Sequence, residues 1–403
     1  MERTESRIGF WFLNFFGLSM ALIGALFSVR LIVDTSFRML YPFVPQISAG
    51  LGVSLPIFGW LLMIRSSSAL LSPFFGSFAD RYGRRKVMAF ALLSQVIGML
   101  GITFFKGWWA AIPMFFSGLA VNAYLPAQQA YISDLVSFER RGRALASIDV
   151  AFAISGVVMM PLIGWIFSVY GWRTPFFGLS ALSLIAAWLT WRYLPEAKKS
   201  QHEEKIIIGM GELLRQGNVQ ASLGVATFLF TGVGIFMTFW GIWLTADFGL
   251  DSVGLGLVAT QIGLSELFGA ILAGLLIDRL GKQRSSLMGI GFAAIFFALI
   301  PLARENLTMI RIALVLTVFW VEYAIVSLFP LYGEQAPEAR ASIFSLIALA
   351  NGIGLAVGPV ITTTLWKIRG LQSITSVGAI SLGLGFLLIW VFLKEIAPVL
   401  ENN

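Results

Sequence analysis

Apolar residues run along this chain in long blocks, and short polar stretches punctuate them. Residues 8–47 are almost continuously apolar. Further blocks cover roughly 56–79, 86–105, 108–131, 145–168 and 174–193, then 219–246, 253–277, 284–303, 308–332, 342–366 and 372–393. About 20 apolar residues in a helix cross a bilayer, so every block is long enough to span. The first block exceeds one span. Pro42 and Pro45 fit its outer end, which starts the first helix near Ile23. The preceding Phe10–Leu22 stretch, rich in Phe and Trp, then lies along the inner interface. An extension of the first helix is the rival reading. Arg3 and Arg7 ahead of the run also suit a signal peptide, a weaker alternative whose removal leaves the helix count unchanged. The pattern predicts an all-α integral membrane protein with twelve transmembrane helices.

The polar punctuation repeats. Gly76-Ser77-Phe78-Ala79-Asp80-Arg81-Tyr82-Gly83-Arg84-Arg85-Lys86 returns, 198 residues later, as Gly274-Leu275-Leu276-Ile277-Asp278-Arg279-Leu280-Gly281-Lys282-Gln283-Arg284. The same offset links Gly156 to Gly354 and Pro161 to Pro359. The chain therefore reads as two six-helix pseudo-repeats. Its expected parts are an N-terminal interfacial segment (1–22), a first bundle (23–193), a cytoplasmic linker (194–218), a second bundle (219–394) and a tail (395–403).

Composition fits a membrane and removes other classes. Hydrophobic residues make up 58% of the chain and charged residues 12%, against about 25% charged in soluble domains. The net charge of +7 is no nucleic-acid footprint, because the basic residues sit in short clusters between apolar blocks. Basic residues concentrate in one set of connections, including Arg81, Arg84, Arg85, Lys86, Arg140, Arg141, Arg143, Arg279 and Lys282. That set faces the cytoplasm, with both termini inside and the protein in the plasma membrane. Zero cysteines and the single His202 leave no thiolate or histidine metal site, and no cofactor is expected. No nucleophile–base–orienter set is visible, so the chain is not read as an enzyme. No G-x-x-x-x-G-K-[ST] stretch offers nucleotide binding, so protons are the expected coupling ion.

The duplicated G-x-x-x-D-R-x-G-R-R-K loop resembles the signature of the major facilitator superfamily, and this resemblance covers nearly the whole chain. It implies a monomeric secondary transporter of small molecules. It also implies that the loops act as a conformational latch, built from Gly76, Asp80, Arg81, Gly83, Arg84 and Arg85 and from Gly274, Asp278, Arg279 and Gly281. Gly76 is expected to let two helices approach closely and Gly83 to permit a tight turn. Asp134 is the expected partner for the loop arginines. Tyr41-Pro42-Phe43-Val44-Pro45 looks like the proline pair of the drug antiporter branch, and Gly156, Pro161 and Gly164 match part of that branch's glycine-rich run. Asn122 stands where the branch carries an arginine on its fourth helix.

Charges inside the spans are the candidate chemistry. Arg30, Asp34 and Arg38 lie along one face of the first helix, drifting about 40° per step. An ionisable group at this depth costs at least ~2.5 kcal/mol against lipid, so the face points into protein or a cavity. The resemblance places the first, fourth, seventh and tenth helices around a cavity, which favours Arg30, Asp34, Arg38, Asn122 and Glu322 as substrate or proton groups. Applying the repeat offset to Arg30, Arg38 and Tyr41 gives Phe228, Phe236 and Phe239, with Trp240 beside them. One charged wall and one aromatic wall, with Tyr41 and Trp240 among the expected substrate residues, suit an amphiphilic solute. Arg65, Asp149, Gln261, Glu266 and Asn351 form a secondary set. Asp149 sits about four residues into its block, where a role at the helix N-terminus competes. Against the functional reading, the first-helix charges can be a structural ion pair and the aromatics simple packing. Three functions stay open: proton-coupled export of amphiphiles, uptake or facilitated passage of an organic anion, and a non-transporting lipid-handling or sensor protein.

Overall fold

The computed structural model describes residues 15–195 and 210–395. Most of the expected linker, residues 1–14 of the expected interfacial segment and residues 396–403 of the tail lie outside the described residues. Within them the chain is helical and carries no strand. In order come α1 (Met20–Arg38), α2 (Val44–Leu51), α3 (Leu55–Ser67), α4 (Ser72–Tyr82), α5 (Arg84–Phe104), α6 (Ala111–Leu135), α7 (Phe138–Ile154), α8 (Met160–Tyr170) and α9 (Thr174–Tyr193). Then follow α10 (Met210–Leu213), α11 (Gly217–Phe248), α12 (Ser252–Leu280), α13 (Lys282–Leu299), α14 (Leu307–Gln335) and α15 (Arg340–Phe392).

Ten helical runs are long and apolar enough to cross a bilayer, and the broken pair Val44–Leu51 with Leu55–Leu71, bent by 100°, adds an eleventh. The last run is two helices meeting at Gly370, where φ is 67° and ψ is −159°. The described residues thus carry the twelve spans that the apolar blocks predict.

Several boundaries depart from the block pattern. The first helix begins at Met20, not near Ile23, because Ser19 caps it by accepting the Leu22 N–H at 3.3 Å. It ends at Arg38, so the prolines do not close it; Pro45 instead opens the short helix α2. The second block is not one helix. A 3-10 turn, Ser68–Leu71, separates α3 from α4, which starts with Pro73 in its first turn. The fifth block begins at Phe138, two turns before its apolar part, and a π-turn at Ser155–Met159 separates α7 from α8.

Two prolines leave a backbone carbonyl without its helical donor, one beside the π-turn and one inside α6. A proline removes the bond to the carbonyl four residues earlier, and in a membrane a neighbouring hydroxyl can supply the missing donor. Pro161 frees the Val157 carbonyl, which accepts from Thr260 Oγ1 at 3.2 Å. Pro126, inside α6, frees the Asn122 carbonyl, which accepts from Ser72 Oγ at 3.2 Å.

Packing divides the chain into two compact units, residues 1–203 with 244–260, and residues 204–243 with 261–403. Glycines set the helix contacts within each. In the first, a methyl group at Gly118 of α6 would lie 1.9 Å from the Arg65 carbonyl oxygen of α3. Gly256 of α12 similarly meets Pro161 of α8. In the second, Gly354 and Gly358 of α15 press on α11, and Gly289 of α13 presses on α14.

Candidate functional site

Arg30 is the centre of the first unit's polar interior. It lies ten residues into α1, so about 15 Å along the helix. Its Nε donates to Asp34 Oδ2 at 2.8 Å. Its Nη1 reaches Asp149 Oδ1 of α7 at 3.2 Å and Gln128 Oε1 of α6 at 3.4 Å. Gln128 is held in turn, because its Nε2 donates to the Leu26 carbonyl at 2.9 Å and to the Tyr124 hydroxyl at 3.2 Å. Three helices thus converge on one guanidinium. Arg precedes Asp in the i, i+4 pair, the order less favoured by the helix dipole. The pair therefore serves the site more than the helix.

The two carboxylates differ in access. The Asp34 side chain is 3% exposed, whereas that of Asp149 is 49% exposed. The early start of α7 puts Asp149 in the middle of that helix, which removes the expected role at a helix N-terminus. Arg38, also buried, stacks its guanidinium 3.8 Å from the centre of the Phe152 ring of α7. The expected face Arg30–Asp34–Arg38 is thus turned into protein, against α7.

Other candidates fall elsewhere. Asn122 does not join Arg30. Its Nδ2 donates to Ser68 Oγ at 2.9 Å and to the Gly118 carbonyl at 3.1 Å, so it ties the 3-10 turn to α6. Arg65 is buried on α3 beside Tyr41, with its Nε on Ser117 Oγ at 3.3 Å. In the second unit Phe236 and Phe239 pack on Phe297 in the core, so they do not form an open aromatic wall. Trp240 is buried on the same helix. Glu322 of α14 lies partly buried where Gly269 of α12 crosses, and Glu266 is partly buried one turn earlier on α12. The side-chain oxygens Gln261 Oε1 and Asn351 Oδ1 are enclosed without hydrogen-bond partners among the described residues. Gln128 and Tyr124 were missed in the sequence. The available signal was a glutamine enclosed at bilayer depth.

The duplicated loop adopts one geometry twice. Gly83 has φ 101° and ψ 136°, and Gly281 has φ 87° and ψ 151°, a region that favours glycine. Arg84 pairs with Asp134 at 3.3 Å, the partner expected from the sequence. The second copy repeats the pairing with Lys282 and Glu334. Arg85 donates to the Leu194 carbonyl at 2.9 Å, and the Lys282 backbone N–H donates to Glu395 at 3.0 Å. Each loop therefore binds the chain that follows its own sixth helix. Arg81 and Arg279 are exposed, with Arg81 over Tyr82, and Asp278 lies in the field of Lys282. The side chains at positions 76 and 80 lie outside the described residues. At Gly274, the repeat counterpart of Gly76, a methyl group would meet nothing within 4 Å.

Comparison with known proteins agrees with this architecture. The family model described as Major Facilitator Superfamily matches residues 26–239 and 222–403. An uncharacterized MFS-type transporter, YceJ of Bacillus subtilis (strain 168), is 28% identical over 351 residues, covering 85% of this chain and 88% of that one. A multi-drug resistance efflux pump PmrA homolog of Lactococcus lactis subsp. lactis (strain IL1403) is 26% identical over 358 residues, covering 83% and 85%. Among solved structures, the nucleoside transporter NupG superposes with a TM-score of 0.75 at 14% identity, covering 92% of this chain and 98% of that one. The matched segments take in both copies of the repeat, and such proteins move small molecules across a bilayer without transforming them. The chain is a multi-pass membrane transporter of the Major Facilitator Superfamily.

Proposed function

We propose that this transporter exports amphiphilic small molecules in exchange for protons, by alternating access. The observation that carries the reading is one buried guanidinium, Arg30, shared by Asp34 and Asp149. Two carboxylates compete for one cation, so either can exchange Arg30 for a proton or for a cationic solute. A proton and a cationic group cannot both neutralise the same carboxylate. Loading one therefore expels the other, and the coupling is reciprocal. Asp149, the more exposed, meets the solute or proton first, and Asp34 holds Arg30 in place meanwhile. Gln128 keeps the guanidinium aimed while its partners change. The name of the Lactococcus relative supports export, and the basic loops support both termini in the cytoplasm.

The test is ethidium accumulation in inverted membrane vesicles with an imposed proton gradient. Wild type is expected to accumulate the dye and to release it when the gradient is collapsed. Asp34→Asn should lose at least about tenfold of gradient-driven accumulation while still binding the dye in detergent. Asp149→Asn should lose less. Undiminished gradient-driven accumulation in both variants would sink the proposal. Accumulation of organic anions but not of cations would move the assignment to anion transport.

A further inference from the structure

Arg65 differs from Arg30 in having no counter-charge among the described residues. It is 1% exposed, and no carboxylate among the described residues lies within ion-pair distance of it. Its contacts are neutral. Nε donates to Ser117 Oγ at 3.3 Å, the guanidinium lies 4.9 Å from the centre of the Phe37 ring, and Tyr41 sits beside it. Arg65 Nη2 and the Tyr41 hydroxyl are both enclosed, and beyond loose contacts with each other and with Ser66 neither makes a hydrogen bond of good geometry. An enclosed cation with unused donors is costly unless an anion joins it.

The backbone beneath this head is fixed. The Arg65 carbonyl accepts from Ser68 Oγ at 2.7 Å, Ser68 accepts from Asn122, and Gly118 of α6 lies in contact with the same carbonyl. The side chain therefore cannot leave by a shift of α3. The groups gathered here are a guanidinium, a phenol and a serine hydroxyl, which can all donate to one acceptor. A single guanidinium balances one negative charge, so a dianion would stay uncompensated.

We propose that Arg65, Tyr41 and Ser117 form a binding site for a small monovalent anion, either chloride or the carboxylate of a solute. The site is separate from the Arg30 pair and does not depend on proton coupling. Because Nη2 and the phenol oxygen are sealed, the anion reaches them only when the surrounding side chains part.

The experiment is thermal unfolding of the purified full chain in detergent, in sodium chloride, sodium acetate or the sodium salt of the bulky sulfonate MES, at equal ionic strength. Chloride or acetate is expected to raise the unfolding temperature saturably above the sulfonate value. A rise with chloride alone identifies an inorganic ion, and a rise with acetate alone identifies the carboxylate of a solute. Tyr41→Phe should raise the half-saturating concentration by about tenfold, the effect of losing one hydrogen bond to a charged group. Arg65→Gln should abolish the increment. If Arg65→Gln does not fold, Tyr41→Phe and Ser117→Ala carry the test. Equal unfolding temperatures in the three salts, or the same increment in wild type and variants, would overturn the site.

Discussion

Arg30 and Arg65 are both buried guanidiniums, and their surroundings separate their roles. Arg30 is matched by two carboxylates, while Arg65 is backed by a serine, a ring and a phenol. The first-helix face was legible, since three charges at a spacing of four cannot point into lipid. The partnership with Asp149 was not. Hydropathy finds only the apolar part of a helix, and the first turns of α7, Phe138-Glu139-Arg140-Arg141-Gly142-Arg143, are polar. Asp149 therefore looked like a residue near a helix start. The role of Asn122 was also hidden, because a polar side chain in a span can reach a neighbouring helix as easily as a cavity. At this scale Gly118 makes a strict prediction. The 1.9 Å approach to the Arg65 carbonyl leaves no room for a methyl group. Gly118→Ala should cost about 1–3 kcal/mol, measured by unfolding in detergent. Gly178→Ala, where a methyl group meets nothing within 4 Å, should be near neutral.

Elements show where apolar blocks mislead. Blocks record length and depth, but not whether the backbone hydrogen bonds continue. Each interruption of the second and fifth spans lies beside a proline. Whether a proline breaks a helix or is absorbed depends on a neighbour that the local sequence does not reveal. Pro126 is absorbed because Ser72, on another helix, fills the vacancy at the Asn122 carbonyl. Ser72→Ala should therefore cost about 0.6 kcal/mol, and at most ~1.7. In a Pro126→Ala background the helix regains its own N–H, so the same Ser72→Ala change should cost close to nothing. A double-mutant cycle by thermal or denaturant unfolding measures this. Equal costs in both backgrounds would mean that the serine bond does not answer the proline.

For the whole molecule the repeat was the most legible feature, because a duplicated loop with its glycines in register needs no alignment to be seen. The grouping of residues 244–260 with the first unit was not legible. It depends on Gly256 meeting Pro161 and on Thr260 reaching Val157, contacts between residues about a hundred positions apart. Orientation can be tested directly, since the chain has no native cysteine to interfere. Single cysteines at Lys106 and Arg369 should react with an impermeant maleimide on intact cells, and one at Arg143 only after permeabilisation. The opposite pattern would invert the topology.

The matched geometry of Gly83 and Gly281 bears on how two copies of a duplicated unit can diverge. The ion pair beside each glycine has a counterpart, so Arg84 with Asp134 corresponds to Lys282 with Glu334, and both members differ between copies. A change in one member can be answered by a change in the other, which leaves a path open for drift. The glycine has no such counterpart. Its backbone angles are a local demand that no distant residue can relieve. Each copy must meet that demand independently, however far the charges around it wander.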